Sequence, residues 1–355
     1  MIKTENRAYI EDVSYGKVEE FLQDISYSGK LYNIFDNNFI FRGHSTDKYK
    51  LIASVQRTNP YLEKNSYKTE ISEKEFAFAN TEFSQAYNEY LYLDEFFRIC
   101  DNNQLYVPEV RRMRETMPYE LQGISFLLEG GSWLPEELYE LATLAQHNGI
   151  PTRLLDWTQE INIALYFAVS GLIQKKGSPE RFTYHEWIAK SQELSEKALH
   201  YLKTKEFRKM KESKLEIWAL DKRVALTHIG DNPLRIIHPK YHNNDNLGAQ
   251  KGVLTFWEIK KPIKKDKVKG KIPVYSWKDE KTLDEHITDF LLEKGELSKP
   301  YLYHITLPEA GIVELYKFIK HNGIDAAHLF PGYSGVVRCM QEDHLFNKIS
   351  KKQSS

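Results

Sequence analysis

Cysteine is almost missing from this chain: its 355 residues hold two, Cys100 and Cys339. They fit no zinc-ligand spacing, and a chain this long buries a core without a disulfide staple. No metal site is expected, and a reducing compartment is. Long apolar runs are missing too. No window approaches the ~18 apolar residues of a membrane span, and MIKTENRAYIEDVS at the start lacks the apolar core of a secretory signal. The expectation is a cytoplasmic protein with no membrane partner. Nor is there an excess of one charge: 49 basic residues meet 50 acidic ones, net −1. That balance gives no global field to draw the chain to nucleic acid or to an anionic surface. Seven lysines crowd between Lys260 and Lys271, but Asp266 interrupts them and prolines stand at 262 and 273. They read as a solvated connector over 260–281. No internal repeat and no low-complexity tract occurs.

What the chain does have is the material of a core. Hydrophobic residues at 41% and charged residues at 28% exclude a disordered polymer. The 22 Tyr and 18 Phe fill cores and seams, and they also suit stacking against bases or nicotinamide rings.

Periodicity gives the elements. Val18, Phe21, Leu22 and Ile25 predict a helix within 14–28. Phe39-Ile40-Phe41 predicts a short buried strand from Asn38 to Arg42. Phe76, Ala79, Phe83, Tyr87, Tyr90 and Leu91 predict a long helix over 72–97, followed by short helices near Arg111 and Gln122. Leu138, Leu141, Leu144 and Ala145 stripe a helix over 136–147, which Gly149 closes and Pro151 forbids to continue. A strand from Thr152 to Trp157 follows. Thr158 is placed to cap a helix over 160–175, with Ile161, Ala164, Leu165, Ala168 and Leu172 on one face. The charged stretch 183–212 reads as a surface helix. Strands are expected at 215–221, 234–237, 252–259 (Val253, Thr255, Trp257 and Ile259 on one face) and 301–307. A helix over 309–321 carries Ile312, Leu315, Tyr316 and Ile319. Strands and helices that do not strictly alternate indicate an α+β fold, a mixed sheet core with peripheral helices. A single domain spanning 1–355 is expected, with 60–135 as a helical insertion.

Three places carry chemistry. Arg42 ends an apolar strand, so the sheet aims a planar fork that matches phosphate or carboxylate oxygens. It serves equally to pin two elements through a carboxylate such as Asp156. Gly43 lets a ligand or another backbone come close, and His44 titrates near neutral pH. The second place is the run from Ala145 to Thr158. It sets Gln146, His147, Thr152, Arg153, Asp156 and Thr158 around Leu154-Leu155. Buried polar groups need partners, so this density means a satisfied network or a ligand. The third is Gln250, directly before a strand, whose amide both donates and accepts.

The Phe41-Arg42-Gly43 motif, the segment LATLAQHNGIPTRLLDWTQEINIALYFA from Leu141 to Ala168, Gln250-Lys251-Gly252 and Leu329 to Gly335 together resemble the FRG-domain family. The resemblance covers roughly residues 14–340. Gly332 departs from it, since an acidic residue is expected after Pro331. The resemblance implies a context of bacterial toxin-like or anti-phage systems.

A more distant similarity is to ADP-ribosyltransferases of the arginine–serine–glutamate class, and it implies a transferase-like core. Phe41-Arg42-Gly43 resembles their first strand. Asp156-Trp157-Thr158, leading into Ala164-Leu165-Tyr166-Phe167-Ala168, resembles their second strand and its helix. Gln250 stands where their glutamate would. The resemblance implies NAD as a substrate and a protein or nucleic acid as acceptor. It implies Arg42, His44, Asp156, Thr158 and Gln250 as catalytic candidates. Arg42, Gly43, Gln146, His147, Thr152, Arg153, Trp157 and Tyr166 are the implied nucleotide-binding candidates. Gln250 cannot supply the negative charge that stabilises a cation-like ribose, so Asp156 or Glu160 would have to. Two other classes stay open: a non-catalytic module that binds a nucleotide or a partner, and a hydrolase using His44 or His147 with Asp156.

Overall fold

Eight strands pair into one sheet in the computed structural model, which describes residues 3–56, 82–116, 131–177, 214–240, 244–259, 265–267, 273–275, 281–296 and 300–354. The strands are β1 (Lys3–Arg7), β2 (Ile10–Ser14), β3 (Phe39–His44), β4 (Leu155–Thr158), β5 (Lys214–Asp221), β6 (Leu234–Ile237), β7 (Gly252–Trp257) and, after a separate short hairpin of β8 (Lys265–Lys267) and β9 (Pro273–Tyr275), β10 (Leu302–Pro308). Their order across the sheet is β1-β2-β10-β5-β3-β4-β7-β6. Neighbours are antiparallel except β2 and β10, which are parallel. The fold is therefore α+β with a mixed sheet.

The helices are α1 (Val18–Ile25), α2 (Lys30–Ile34), α3 (Glu82–Asn102), α4 (Arg111–Glu115), α5 (Tyr139–His147), α6 (Ile161–Gly177), α7 (Asp245–Ala249), α8 (Leu283–Glu293), α9 (Ile312–His321), α10 (Ala326–Leu329) and α11 (Tyr333–Ser354). Side chains alternate across a strand, so the central strands β3, β5 and β10 feed two cores. Phe39, Phe41, Ile217, Ala219, Ile305 and Leu307 bury against α1, α6, α9 and α11. On the other face Ile40, Trp218, Leu220, Leu155, Val253 and Leu302 bury against α8. A third cluster joins Tyr90, Leu91 and Phe97 of α3 to α5 and to Leu254 and Phe256 of β7.

Several expectations shift. The strand after α5 begins at Leu155, not Thr152. The reason is local: the Thr152 carbonyl accepts from the Val55 amide (3.2 Å) and the Ser54 hydroxyl (3.1 Å), outside the sheet. α6 is buried nearly all round rather than on one face, with Ile163, Ala164, Leu165, Tyr166, Ala168, Val169, Leu172 and Ile173 all enclosed. A helix apolar on every side is one sandwiched in a core. β7 is likewise covered on both faces, and Ile259 has left it to pair with Trp133. The hairpin β1–β2 was not foreseen. Expectations for 72–81, around Gln122 and over 183–212 lie outside the described residues. Among the described residues no helix is long and apolar enough to cross a membrane.

Candidate functional site

β3 lies in the middle of the sheet between β5 and β4. Phe39, Phe41 and Gly43 face α6, so Ile40, Arg42 and His44 face the opposite side. Arg42 keeps only 16% of its side chain exposed. Its Nη1 donates to the Asp156 carbonyl at 2.6 Å, and its Nε donates to His44 Nε2 at 2.8 Å. The Asp156 carboxylate comes within 3.9 Å of Nη1 and is 66% exposed. Gln146, in the last turn of α5, donates to that carboxylate at 2.6 Å and accepts from the Thr152 hydroxyl. The pinning of two elements and the aiming of a guanidinium are thus one arrangement.

These groups line a cavity of about 510 Å3, within the range of roughly 300–1,000 Å3 usual for small-molecule sites. Phe41, Arg42, Gly43 and His44 of β3 line it, as do Gln146 and His147 of α5. Asp156, Trp157 and Thr158 of β4 and Gln250 close another side. Tyr49, Phe167 and Phe330 add ring faces. The His147 ring meets Asn246 at 3.4 Å. Nine of the twelve residues singled out from the sequence therefore meet in one concavity.

The other three do not line it. Thr152 supports it from behind through Gln146, and its hydroxyl also accepts from the Leu154 amide at 3.2 Å. Arg153 forms a bidentate pair with Glu89 of α3 at 2.8 and 2.9 Å. Both side chains are almost wholly buried, 5% and 4% exposed, and Glu89 also accepts from the Trp133 indole at 2.7 Å. Such a pair ties α3 to the segment that enters β4. Tyr166 points the other way, into the core, and donates to Glu342 of α11 at 3.0 Å. Burial, first, and the Glu342 charge push its phenol well above the usual range.

Within the cavity some roles also change. At Gly43 the close neighbour is α6, not a ligand: a Cβ there would lie 1.9 Å from the Ala164 carbonyl oxygen. The Thr158 hydroxyl spends its one hydrogen on the Gln250 carbonyl (2.8 Å) and accepts from the Glu160 amide (3.2 Å). It ties the turn between β4 and α6 to residue 250; it is not the N-cap, since α6 starts at Ile161. Gln250 donates to the Leu329 carbonyl at 3.1 Å. The Trp157 indole donates to Thr255 at 2.8 Å. Glu160 pairs with Lys251.

Behind Arg42 runs a row of polar groups that the sequence reading missed. His44 Nδ1 meets Glu216 of β5 at 2.5 Å, the other Glu216 oxygen meets His304 Nε2 of β10 at 2.9 Å, and His304 Nδ1 meets Asp12 of β2 at 2.8 Å. Trp218 stacks on the His304 ring, centroids 4.3 Å apart. Burial alone would raise the Glu216 pKa, but the two imidazoles outweigh it and hold the carboxyl below its ordinary 4.5. Burial alone would lower His304, but its two carboxylates outweigh burial and hold it above 6.5. The available signal was a carboxylate inside the otherwise apolar strand Leu215-Glu216-Ile217-Trp218, since a lone charge there requires a buried partner.

Among the described residues no group of three His, Cys, Asp or Glu side chains is arranged to hold a metal ion. No curated protein and no solved structure matches the chain. One family model does, over residues 124–177, a span that contains α5, β4 and α6. The Phe41-Arg42-Gly43 motif and Gln250 lie outside it. On the strength of that span, the segment that carries Gln146, His147, Asp156, Trp157 and Thr158 matches the FRG domain.

Proposed function

We propose that the cavity binds a nucleotide of the NAD type and that the protein is an NAD-consuming, ADP-ribosyltransferase-like enzyme. One observation supports this above others: Arg42, Asp156 and aromatic faces share one 510 Å3 concavity. In this reading the Arg42 guanidinium holds pyrophosphate oxygens, as its planar fork favours. Tyr49, Phe167 or Phe330 offers a face to the nicotinamide or adenine ring. Asp156, steadied by Gln146, lies beside the ribose. The C–N bond between ribose and nicotinamide breaks, its electron pair leaves with neutral nicotinamide, and the ribose becomes cation-like. The Asp156 carboxylate stabilises that charge, the part Gln250 cannot take. An acceptor group on protein or nucleic acid, or water, then adds and gives up a proton to Asp156 or solvent. A toxin-like or anti-phage role belongs to the same proposal.

The test is incubation with NAD and mass-spectrometric detection of nicotinamide, with and without nucleic acid and cell extract. Asp156→Asn should cut release by roughly 100-fold or more, the usual cost of losing a charge-stabilising group, while folding stays intact. NAD that neither binds nor breaks overturns the reading. Binding without release favours the second reading, a nucleotide-binding module without turnover. That alternative has its own observation: residue 250 is an amide, engaged with the Leu329 carbonyl.

A further inference from the structure

We propose that Glu216 is a positioning residue for the cavity: through His44 it fixes the direction of the Arg42 guanidinium, and His304 holds it in place to do so. This rests on the reading that the cavity is the functional site, but not on the identity of the ligand.

The argument is one of proton assignment. A guanidinium only donates. The Arg42 Nε contact at 2.8 Å therefore requires that His44 Nε2 carry a lone pair. The single hydrogen of neutral His44 then sits on Nδ1 and is given to Glu216. Glu216, 1% exposed, must be a carboxylate to accept it. Its second oxygen faces His304 Nε2, and Asp12 faces His304 Nδ1. Both ring nitrogens of His304 donate, so His304 is the imidazolium that balances the buried carboxylate. Each bond fixes the direction of the next.

The sheet builds this row. Asp12 stands opposite His304 between β2 and β10, Trp218 opposite both His304 and Arg42, and Glu216 opposite His44. Same-face residues on neighbouring strands lie within side-chain reach. Tyr49 stands edge-on to the His44 ring, Lys214 of the same face donates to Ser14 at 3.1 Å, and the Asp156 carboxylate approaches Arg42 to 3.9 Å from the neighbouring strand. The row also reassigns His44: protonating Nε2 would set one donor against another, so it acts as an aligned acceptor and not as an acid or base.

A neutral amide at 216 offers one acceptor and one donor where the row needs two acceptors. Glu216→Gln should therefore release the His44 tautomer and loosen Arg42. The experiment uses the full chain, with 15N-detected histidine NMR at about pH 7 and titration with NAD and with inorganic pyrophosphate. In the wild type His44 should show the Nδ1–H tautomer and His304 two protonated nitrogens. Glu216→Gln should mix the His44 tautomers and weaken pyrophosphate and NAD binding by about 10- to 100-fold. If that variant does not fold, His304→Gln, which keeps a hydrogen bond but removes the charge, should shift the same signals. A wild-type His44 in the Nε2–H tautomer overturns the proposal. So does a folded Glu216→Gln chain with unchanged His44 signals. If neither probe binds the wild type, the reading of the cavity fails, and the tautomers still decide the row.

Discussion

Gly43 offers a direct trial of what the Arg42-Gly43 pair is for. If its missing side chain served a ligand, Gly43→Ala would fold normally and lose only binding. The structure puts a different neighbour there. An alanine Cβ would lie 1.9 Å from the Ala164 carbonyl oxygen, 2.8 Å from its carbon and 3.1 Å from the Ala168 amide nitrogen. All three are backbone atoms of α6, and none can rotate away. Relief requires sliding α6 off β3, against a core in which Ala164, Ala168 and Leu172 are already fully enclosed. Overpacking a tight core costs about 1–3 kcal/mol, and a backbone clash this short belongs at or above the upper end. A loss of about 3 kcal/mol lowers the thermal midpoint by roughly 4 °C in a chain of this size. Thermal and urea unfolding followed by circular dichroism measures it. A Gly43→Ala chain that unfolds within about 1 °C of the wild type would refute the packing argument and return Gly43 to the ligand. Gly149→Ala is the control. Its site has no atom within 4 Å of an added Cβ but has φ +91°, so it should lose only about 1 kcal/mol, from strain.

Glu89→Gln should destabilise by about 3–5 kcal/mol in urea unfolding, because it leaves the buried Arg153 charge without its partner; replacing both residues with apolar ones should recover most of that. The polar row makes stability pH-dependent in two directions. The Glu216 contribution is complete above its unfolded 4.5 and is lost as pH falls through its depressed folded value. The His304 contribution is complete below its unfolded 6.5 and is lost as pH rises through its raised folded value. His304→Gln should therefore flatten the alkaline decline, read as urea midpoints across pH. Gln250→Glu sets a carboxylate against the Leu329 carbonyl. It should cost about 1–3 kcal/mol and should not raise nicotinamide release, a result checked by unfolding and by mass spectrometry.

Much of the site was legible locally. Phe39-Ile40-Phe41 predicted the strand that delivers Arg42, and the stop at Gly149 and Pro151 placed Gln146 and His147 at the end of a helix. The dense polar run to Thr158 marked where partners had to be found. What could not be read was who the partners are. Arg153 looked like a ligand-binding cation because its counter-charge, Glu89, lies 64 residues earlier on another helix. Tyr166 followed the same pattern, with Glu342 176 residues away. Strand ends were misplaced where side chains intervened, as at Thr152, whose carbonyl is claimed by residues 54 and 55. Period-two patterns specify faces but not which strands become neighbours, so the alignment of Asp12, His304, Glu216 and His44 was invisible.

The parallel pairing of β2 with β10 brings Asp12 against His304 across 292 positions of chain. Contacts of such separation form late, because loop-closure entropy precedes their reward. At translation rates of about 5–20 residues per second, on the order of 15–60 s separate the synthesis of Asp12 from that of His304. Throughout that interval Glu216, once synthesised, has no imidazolium beside it, and Arg42 lacks its final alignment. A newly made molecule therefore acquires its guanidinium geometry only after β10 has been made and has paired with β2 and β5.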